Sequence, residues 1–208
     1  MLTVWELSIR RGAKPLFAPV SFHLQAGEGI WLQGDNGSGK TSLLQCIAGI
    51  QALASGSITW DETPVADMGL AFNGLMHYVG HDALMHPQLS LLDNVYLDLR
   101  TAFVSEKECL RTIRDWGLTM DPHQLVANLS AGQKQRLALA RLSLSRAKLW
   151  LLDEPFVALD RASQERLTVA CQSHLNDGGL LVMTSHQERP GLSSHVGTYR
   201  LIREGEDD

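Results

Sequence analysis

The segment from Gly34 to Thr41 carries the residues best suited to chemistry in this chain. It reads Gly-Asp-Asn-Gly-Ser-Gly-Lys-Thr, and two glycines separated by four residues and followed by lysine and a hydroxyl residue form the pattern of a phosphate-binding loop. Its glycines let the backbone curl so that successive N–H groups point inward as a cradle for an anion. The Lys40 ammonium group would reach the β- and γ-phosphates of a nucleotide, and the Thr41 hydroxyl would bind Mg²⁺.

A second chemical feature is the pair of carboxylates Asp153 and Glu154, which follows the apolar run Leu149 to Leu152. Such a run predicts a buried strand, and α/β sheets bind ligands at the carboxyl ends of their strands. Since neighbouring strand positions point to opposite faces, we expect different roles for the two acids. Asp153 would hold the Mg²⁺ shell and Glu154 would activate the attacking water as general base. An acidic pair at this place is more often a solvated turn, but the phosphate loop in the same chain favours the catalytic interpretation.

The elements around these residues predict a mainly parallel α/β sheet, because buried strands alternate with helices. The phosphate loop lies between a strand and a helix, as its pattern requires. The predicted strands are Leu2 to Ile9, Val20 to Gln25, Gly29 to Gln33, Met76 to Gly80, Leu149 to Leu152, Leu180 to Met183, and one near Thr198 to Ile202. The predicted helices are Lys40 to Ile50, Arg161 to Leu175, and a helical middle from about 85 to 145.

The helical middle separates two strand-rich parts and suggests two lobes within one domain. Ser90 with Asp93, and Ser105 with Glu108, are plausible capping boxes that open helices there. We expect a single domain over residues 1–208, with a core lobe of about 1–82 and 146–208 and a helical lobe of about 83–145.

Composition excludes several classes of protein. The net charge of −5 lacks the positive surplus that nucleic-acid binding usually requires. No apolar run approaches the roughly 20 residues that span a bilayer, and the N-terminus has no signal-peptide pattern. Three widely spaced cysteines, Cys46, Cys109 and Cys171, disfavour disulfides or a zinc site and are interpreted as reduced packing residues.

The segment from Leu129 to Arg136 makes the functional prediction specific. It reads Leu-Ser-Ala-Gly-Gln-Lys-Gln-Arg and resembles the signature of ATP-binding-cassette (ABC) ATPases, Leu-Ser-Gly-Gly-Gln, with one glycine replaced by alanine. The resemblance implies a P-loop NTPase fold with a RecA-like core, N-terminal antiparallel strands and an inserted helical subdomain. It also implies that Ser130, Gly132 and Gln133 contact the γ-phosphate held by a partner protomer in an ATP-sandwich homodimer.

Two further segments lie at the spacing of this family. Val157 to Asp160 is similar to its D-loop, and His186, which follows the strand ending Met183-Thr-Ser, is similar to its switch histidine, which would donate a hydrogen bond to the γ-phosphate. The cofactors implied are ATP and Mg²⁺, with Lys40, Glu154 and His186 as catalytic residues. The nucleotide contacts implied are Gly34, Asp35, Asn36, Gly37, Ser38, Gly39, Lys40, Thr41, Ser42, Ser130, Gly132, Gln133 and Asp160.

Two positions depart from the general family pattern. His81 stands where the family has a metal-contacting glutamine; imidazole can bind a metal or a water, so His81 joins Thr41 and Asp153 as a candidate metal contact, with Asp82 and Gln88 as weaker stand-ins. The aromatic residue that usually stacks on adenine is also missing. Arg11 could stack in its place, or Phe17 nearby.

Within the superfamily the chain looks most like the heme-exporter ATPase subunit of bacterial cytochrome c maturation, through the segments Leu129 to Gln133, Tyr78 to His81 and Leu149 to Asp160. In that family a histidine at position 81 is expected. That resemblance implies a peripheral subunit on the cytoplasmic face of the inner membrane, docked on integral membrane subunits through the segment near 83–100. We expect no direct heme binding, because no Cys-x-x-Cys-His pattern is present.

Other classes remain as alternatives. The chain could serve another small ABC exporter or a lipoprotein-release system, which share these motifs. A soluble ABC ATPase acting on nucleic acid would have tandem cassettes, a coiled-coil insertion or a basic surface, none of which the sequence contains. A degenerate module that binds ATP without hydrolysing it is disfavoured by Lys40, Asp153, Glu154 and His186.

Overall fold

The structure is a computed structural model that describes residues 1–12, 14–80, 85–98, 104–185, 191–192 and 195–202. Two larger β-sheets organise the described residues, and a third sheet has only two short strands. Numbered in chain order, the strands are β1 (Leu2–Ser8), β2 (Arg10–Arg11), β3 (Lys14–Pro15), β4 (Val20–Leu24), β5 (Gly29–Gln33), β6 (Ser55–Trp60), β7 (Thr63–Pro64), β8 (Met76–Val79), β9 (Leu149–Leu152), β10 (Leu180–Thr184) and β11 (Val196–Arg200). The α-helices are α1 (Lys40–Ile47), α2 (Val65–Met68), α3 (Leu70–Leu75), α4 (Leu91–Asp98), α5 (Glu106–Asp115), α6 (Ala131–Leu144) and α7 (Arg161–Asn176), with one 3₁₀ turn at Val126–Asn128. No helix in these ranges is long and apolar enough to cross a membrane.

The larger sheet is parallel throughout, in the order β11-β5-β10-β9-β8. Its central strands are apolar on both faces, because α1 covers one face and α7 covers the other. Parallel strands align their carboxyl ends, so the phosphate loop after β5 and the acidic pair after β9 meet at one edge of this sheet.

The smaller sheet is antiparallel, in the order β4-β1-β6-β7. Leu2 and Val4 of β1 alternate inward and share a core with α1 and with Leu149 and Leu151 of the parallel sheet. The fold class predicted from the sequence, an α/β P-loop architecture with N-terminal antiparallel strands, is confirmed.

The helices of the middle region form their own apolar cluster, built from α4, α5, α6 and the 3₁₀ turn. The predicted capping box of Ser90 and Asp93 is present: the Asp93 N–H donates to Ser90 Oγ at 3.0 Å, and the Ser90 N–H donates to Asp93 Oδ2 at 3.4 Å. At Ser105 the structure shows the N-cap bond, from the Glu108 N–H to Ser105 Oγ at 3.3 Å. The bounds of the two lobes stay a prediction.

Several predicted bounds differ from the structure. Helix α1 ends at Ile47 instead of Ile50, because Gly49 adopts a left-handed conformation with φ of 71° and its N–H caps the Cys46 carbonyl at 3.0 Å. The last strand is Val196–Arg200 and begins earlier than predicted. Strand β6 and the short helices α2 and α3 were not predicted, because Ser55-Gly-Ser lacks apolar residues and two helices of four and six residues carry little periodicity. All three cysteines are buried free thiols, as predicted.

Candidate nucleotide-binding and hydrolysis site

The phosphate loop connects β5 to α1 and requires glycine at two positions for steric reasons. Gly34 has φ of 151°, and a Cβ atom there would lie 2.7 Å from Ser38 Oγ. Gly39, the N-cap of α1, has φ of 100°, and a Cβ atom there would lie 2.6 Å from Cδ1 of Phe17. The loop is therefore packed tightly against Ser38 and Phe17 on the side of the protein core, which leaves its opposite side for a ligand.

Lys40 places a desolvated cation inside the loop. The residue is only 7% exposed, and its Nζ donates to the carbonyl oxygens of Gly34 at 2.7 Å and Asp35 at 3.1 Å. Neither partner carries a charge, so the ammonium group retains a strong attraction for an anion. This arrangement can bind phosphate groups.

Asp153 lies immediately after β9 and is 2% exposed. Its N–H donates to the Val79 carbonyl at 2.8 Å, and its Oδ1 accepts a hydrogen bond from Thr184 Oγ1 at 2.7 Å. The other carboxylate oxygen, Oδ2, is buried without a hydrogen-bond partner among the described residues. A buried anionic oxygen without a donor fits a divalent cation, and Thr41 supplies a hydroxyl to the same cavity.

Glu154 follows in a left-handed conformation, with φ of 50°. Its N–H donates to Thr184 Oγ1 at 2.8 Å, and its carbonyl accepts from the Val157 N–H at 3.1 Å. The strand ends at Leu152, so strand alternation does not separate the two acids. Asp153 and Glu154 instead line one cavity.

A cavity of about 450 Å³ joins these groups. It unites eight of the predicted residues: Asn36, Gly37, Gly39, Lys40, Thr41, Ser42, Asp153 and Glu154. Three other predicted loop residues are not part of its lining. The carbonyl oxygens of Gly34 and Asp35 accept hydrogen bonds from Lys40, and Ser38 is buried.

The cavity lining also includes residues that no sequence pattern indicated. They are Arg10, Leu16 and Gln51. The alternative that Phe17 stacks on a base is wrong, since the ring is fully buried in the core with its edge against Gly39. Of the Arg11 side chain the structure describes nothing.

Tyr78 adds an uncharged neighbour on the adjacent strand β8. Burial and, to a smaller extent, the negative charge of Asp153 raise the pKa of its hydroxyl to about 12, against the lowering effect of a hydrogen bond with Gln45. The phenol therefore stays protonated at physiological pH and adds no negative charge beside Asp153.

Comparison with known proteins agrees with this geometry. A family model described as ABC transporter matches residues 17–157, from the core below the phosphate loop to the segment after the acidic pair. This chain belongs to the ABC transporter family, as an ATP-hydrolysing subunit.

Relatives of this ABC ATPase extend the match to its whole length. It is 38% identical over all 208 residues to the cytochrome c biogenesis ATP-binding export protein CcmA of Tatumella citrea, covering 99% of that protein. It also resembles a putative ABC transporter ATP-binding protein from Pyrococcus furiosus (TM-score 0.81, 23% identity, 96% of each chain). The cassette MJ0796, solved as a dimer in a post-hydrolysis state bound to ADP and Pi, has a TM-score of 0.79 at 23% identity, covering 90% of this chain and 88% of that one. By sequence the ABC ATPase belongs with the cytochrome c biogenesis ATP-binding export proteins.

The signature segment of this ABC ATPase forms the N-terminus of α6. Ser130 is the N-cap, and a full capping box joins it to Gln133: the Gln133 N–H donates to Ser130 Oγ at 3.3 Å, and the Ser130 N–H donates to Gln133 Oε1 at 2.8 Å. Gly132 lies close to the D-loop, since a Cβ atom there would be 2.9 Å from the Ala158 carbonyl oxygen. These residues are absent from the lining of the cavity described above.

Asp160 of the D-loop has a structural partner on each side. Its Oδ1 caps α7 by accepting from the Ser163 N–H at 2.8 Å, and its Oδ2 pairs with Arg136 Nη1 of α6 at 3.2 Å. Hydrogen bonds from Ser163 and then the charge of Arg136 lower the pKa of the Asp160 carboxyl group. Asp160 also lies outside the cavity lining.

The two predicted histidines, His81 and His186, and the stand-in Asp82 lie outside the described residues. Gln88 is exposed and is not among the residues that line the cavity. The roles of His81 and His186 stay predictions.

Proposed function

We propose that this ABC ATPase energises a membrane complex of cytochrome c biogenesis, acting on heme export or on release of a heme chaperone. ATP hydrolysis is supported by the single cavity that joins Lys40, Thr41, Asp153 and Glu154. The role in cytochrome c biogenesis is supported by the full-length similarity to a cytochrome c biogenesis export protein.

The phosphates of ATP would lie on the loop above Gly37 and Gly39, where backbone N–H groups at a helix N-terminus favour anions. Lys40 would leave its carbonyl partners and neutralise the β- and γ-phosphates. Asn36 and Ser42 line the same cavity and would contact the phosphate chain from either end of the loop.

The nucleobase would lie towards Arg10 and Leu16, which line the same cavity as the phosphate loop. A guanidinium group can stack on an aromatic base, and a leucine side chain offers it an apolar surface. These two residues would take the place of the usual aromatic side chain.

Thr41 and Asp153 would hold Mg²⁺, with His81 as a further contact. When bound, this cation would neutralise charge on the β- and γ-phosphate oxygens. The fit rests on Asp153 Oδ2, which is buried without a hydrogen-bond donor among the described residues.

Hydrolysis would proceed by in-line attack of water on the γ-phosphorus. Glu154 would accept the proton of the water as its oxygen bonds to phosphorus, while the bond from phosphorus to the β–γ bridging oxygen breaks. ADP and inorganic phosphate are the products. His186 would donate a hydrogen bond to the γ-phosphate during this step.

Each site would be completed by a second copy of the chain. Ser130 is exposed at the start of a 14-residue helix and, with Gly132 and Gln133, lies apart from the cavity of its own chain. Across a two-fold axis these residues, with Asp160, would meet the γ-phosphate held by the partner copy.

The complex would also contain integral membrane subunits, and this chain would lie peripherally against them at the cytoplasmic face of the inner membrane. The segment near 83–100 includes α4, on which Tyr96 is 39% exposed and Leu97 is 40% exposed. Apolar side chains exposed together are suited to a partner surface. We propose that heme itself, like nucleic acid, does not contact this chain.

Affinity purification of the chain from detergent-solubilised membranes tests this proposal. Partners with several transmembrane helices from the cytochrome c maturation apparatus would support it, whether or not heme absorption accompanies them. Different transmembrane partners, such as those of a lipoprotein-release system, would retain the ABC mechanism and refute the heme assignment. Soluble or nucleic-acid partners alone would refute the transporter role.

A further inference from the structure

We propose that Thr184 is a positioning residue of ATP hydrolysis, whose hydroxyl orients both acidic residues of the site. This proposal rests on the function proposed above, in which Asp153 holds the metal and Glu154 activates water.

Thr184 is the last residue of β10 and is fully buried. The preceding residues of that strand are Leu180, Leu181, Val182 and Met183, all apolar. At such a position valine has the same shape and avoids burying a hydroxyl group. The hydroxyl therefore requires an explanation beyond packing.

Both bonding capacities of this hydroxyl are directed at the acidic pair. Its proton is donated to Asp153 Oδ1 at 2.7 Å, and its oxygen accepts the Glu154 N–H at 2.8 Å. The parallel register explains the contact, because Met183 lies opposite Leu152, the last residue of β9, and the residues that follow these two in the chain are Thr184 and Asp153.

For Asp153, the bond sets the plane of the carboxylate. With Oδ1 engaged by Thr184, Oδ2 remains buried and without a donor among the described residues. A hydrogen-bond network that served stability alone would satisfy both oxygens, since an unsatisfied buried anion is costly. Outer partners that orient a ligating carboxylate in this way typically affect metal affinity or activity.

For Glu154, the bond supports an unfavourable backbone conformation. A residue other than glycine at φ of 50° is destabilised relative to ordinary conformations, and it persists only where its surroundings enforce it. The Thr184 oxygen satisfies the Glu154 N–H in this turn, and the Glu154 side chain lines the cavity.

The test compares Thr184→Val, which keeps the shape and removes the hydroxyl, with Thr184→Ser, which keeps the hydroxyl. Binding of the nonhydrolysable analogue AMPPNP is measured with EDTA and with Mg²⁺, and the ratio of the two dissociation constants reports the metal contribution. Thr184→Val should retain the EDTA affinity within about twofold, reduce the Mg²⁺-dependent gain about tenfold, and lower kcat about 10- to 100-fold. Thr184→Ser should stay within about threefold of the parent chain in every measurement, because its hydroxyl can make both bonds.

Two results would overturn the proposal. One is an unchanged metal contribution and kcat in Thr184→Val; the other is an equal loss in Thr184→Ser, which would assign the effect to packing of the methyl group. If Thr184→Val does not fold, Thr184→Cys replaces it: its weak thiol donor should give a loss that Thr184→Ser does not show. A parent chain without Mg²⁺-dependent ATP hydrolysis would instead refute the proposed function.

Discussion

Replacing Gly39 with alanine tests whether steric packing beneath the phosphate loop dictates its sequence. Gly39 has φ of 100°, and an added methyl group would lie 2.6 Å from Cδ1 and 2.8 Å from Cε1 of Phe17. The Phe17 ring is fully buried, so it cannot move aside into solvent. The left-handed conformation costs about 1–2 kcal/mol, and overpacking a core costs about 1–3 kcal/mol more.

Gly49→Ala is a matched control at the other end of the same helix. Gly49 also has positive φ, 71°, but an added methyl group there would have nothing within 4 Å of it. This control should lose only the conformational part, about 1–2 kcal/mol, so Gly39→Ala should be less stable than Gly49→Ala by about 1–3 kcal/mol.

Urea denaturation gives the free energies of unfolding, and titration with ATP gives the effect on binding. Gly39→Ala should also weaken ATP binding, because relief of the clash moves the loop N–H groups. Adding Phe17→Leu should recover part of both losses, as expected for residues in contact. Equal stability of the two alanine variants, or no coupling between positions 17 and 39, would refute the steric argument.

Three further predictions concern other parts of the chain. Burial raises the pKa of Cys46 to about 11 and that of Cys171 to about 12, and it also raises the pKa of Cys109. A disulfide exchange reagent at about pH 8 should therefore find no reactive thiol until denaturant exposes all three cysteines. Rapid reaction of the native protein would contradict this prediction. Burial lowers the pKa of His174 below 6.5, so the unfolded state takes up a proton that the folded state resists. The free energy of unfolding should therefore fall as pH drops through about 6.5. Urea titrations should show a smaller fall in His174→Gln, and an equal fall would exclude His174 as the cause. Arg10→Ala should raise the KM for ATP about threefold to tenfold at constant kcat, with Arg10→Lys between the two, whereas an unchanged KM would exclude a base contact.

Local patterns predicted the parts of the site that are contiguous in sequence. The loop around Lys40 and the pair Asp153–Glu154 were recognisable because their residues are neighbours in the chain and their flanking strands are apolar. Thr184 was not found, since its role depends on pairing between β9 and β10. A polar residue at the end of the apolar run Leu180 to Met183 was the available signal.

The location of an apolar residue was harder to predict where the residue could lie either in the core or against a ligand. Phe17 could face either a base or the core, and the contact with Gly39 decides for the core.

Strand β6 was missed because it is held by pairing with β1, and Ser55-Gly-Ser carries little strand signal of its own. The end of α1 depends on the left-handed conformation of Gly49. The sequence shows a glycine near the end of the helix, but it does not show at which residue the helix stops.

Phosphate release by the Glu154→Gln variant measures whether Glu154 is the general base of hydrolysis. The complex is purified with its membrane partners, and ATP binding and hydrolysis are measured with Mg²⁺ and with EDTA. We expect Glu154→Gln to bind ATP as the parent chain does, to stall as a closed dimer, and to lose at least about 100-fold in kcat, because an amide cannot accept the proton of the attacking water. Turnover by Glu154→Gln at the rate of the parent chain would contradict the assignment of Glu154 as general base and the hydrolysis mechanism that depends on it.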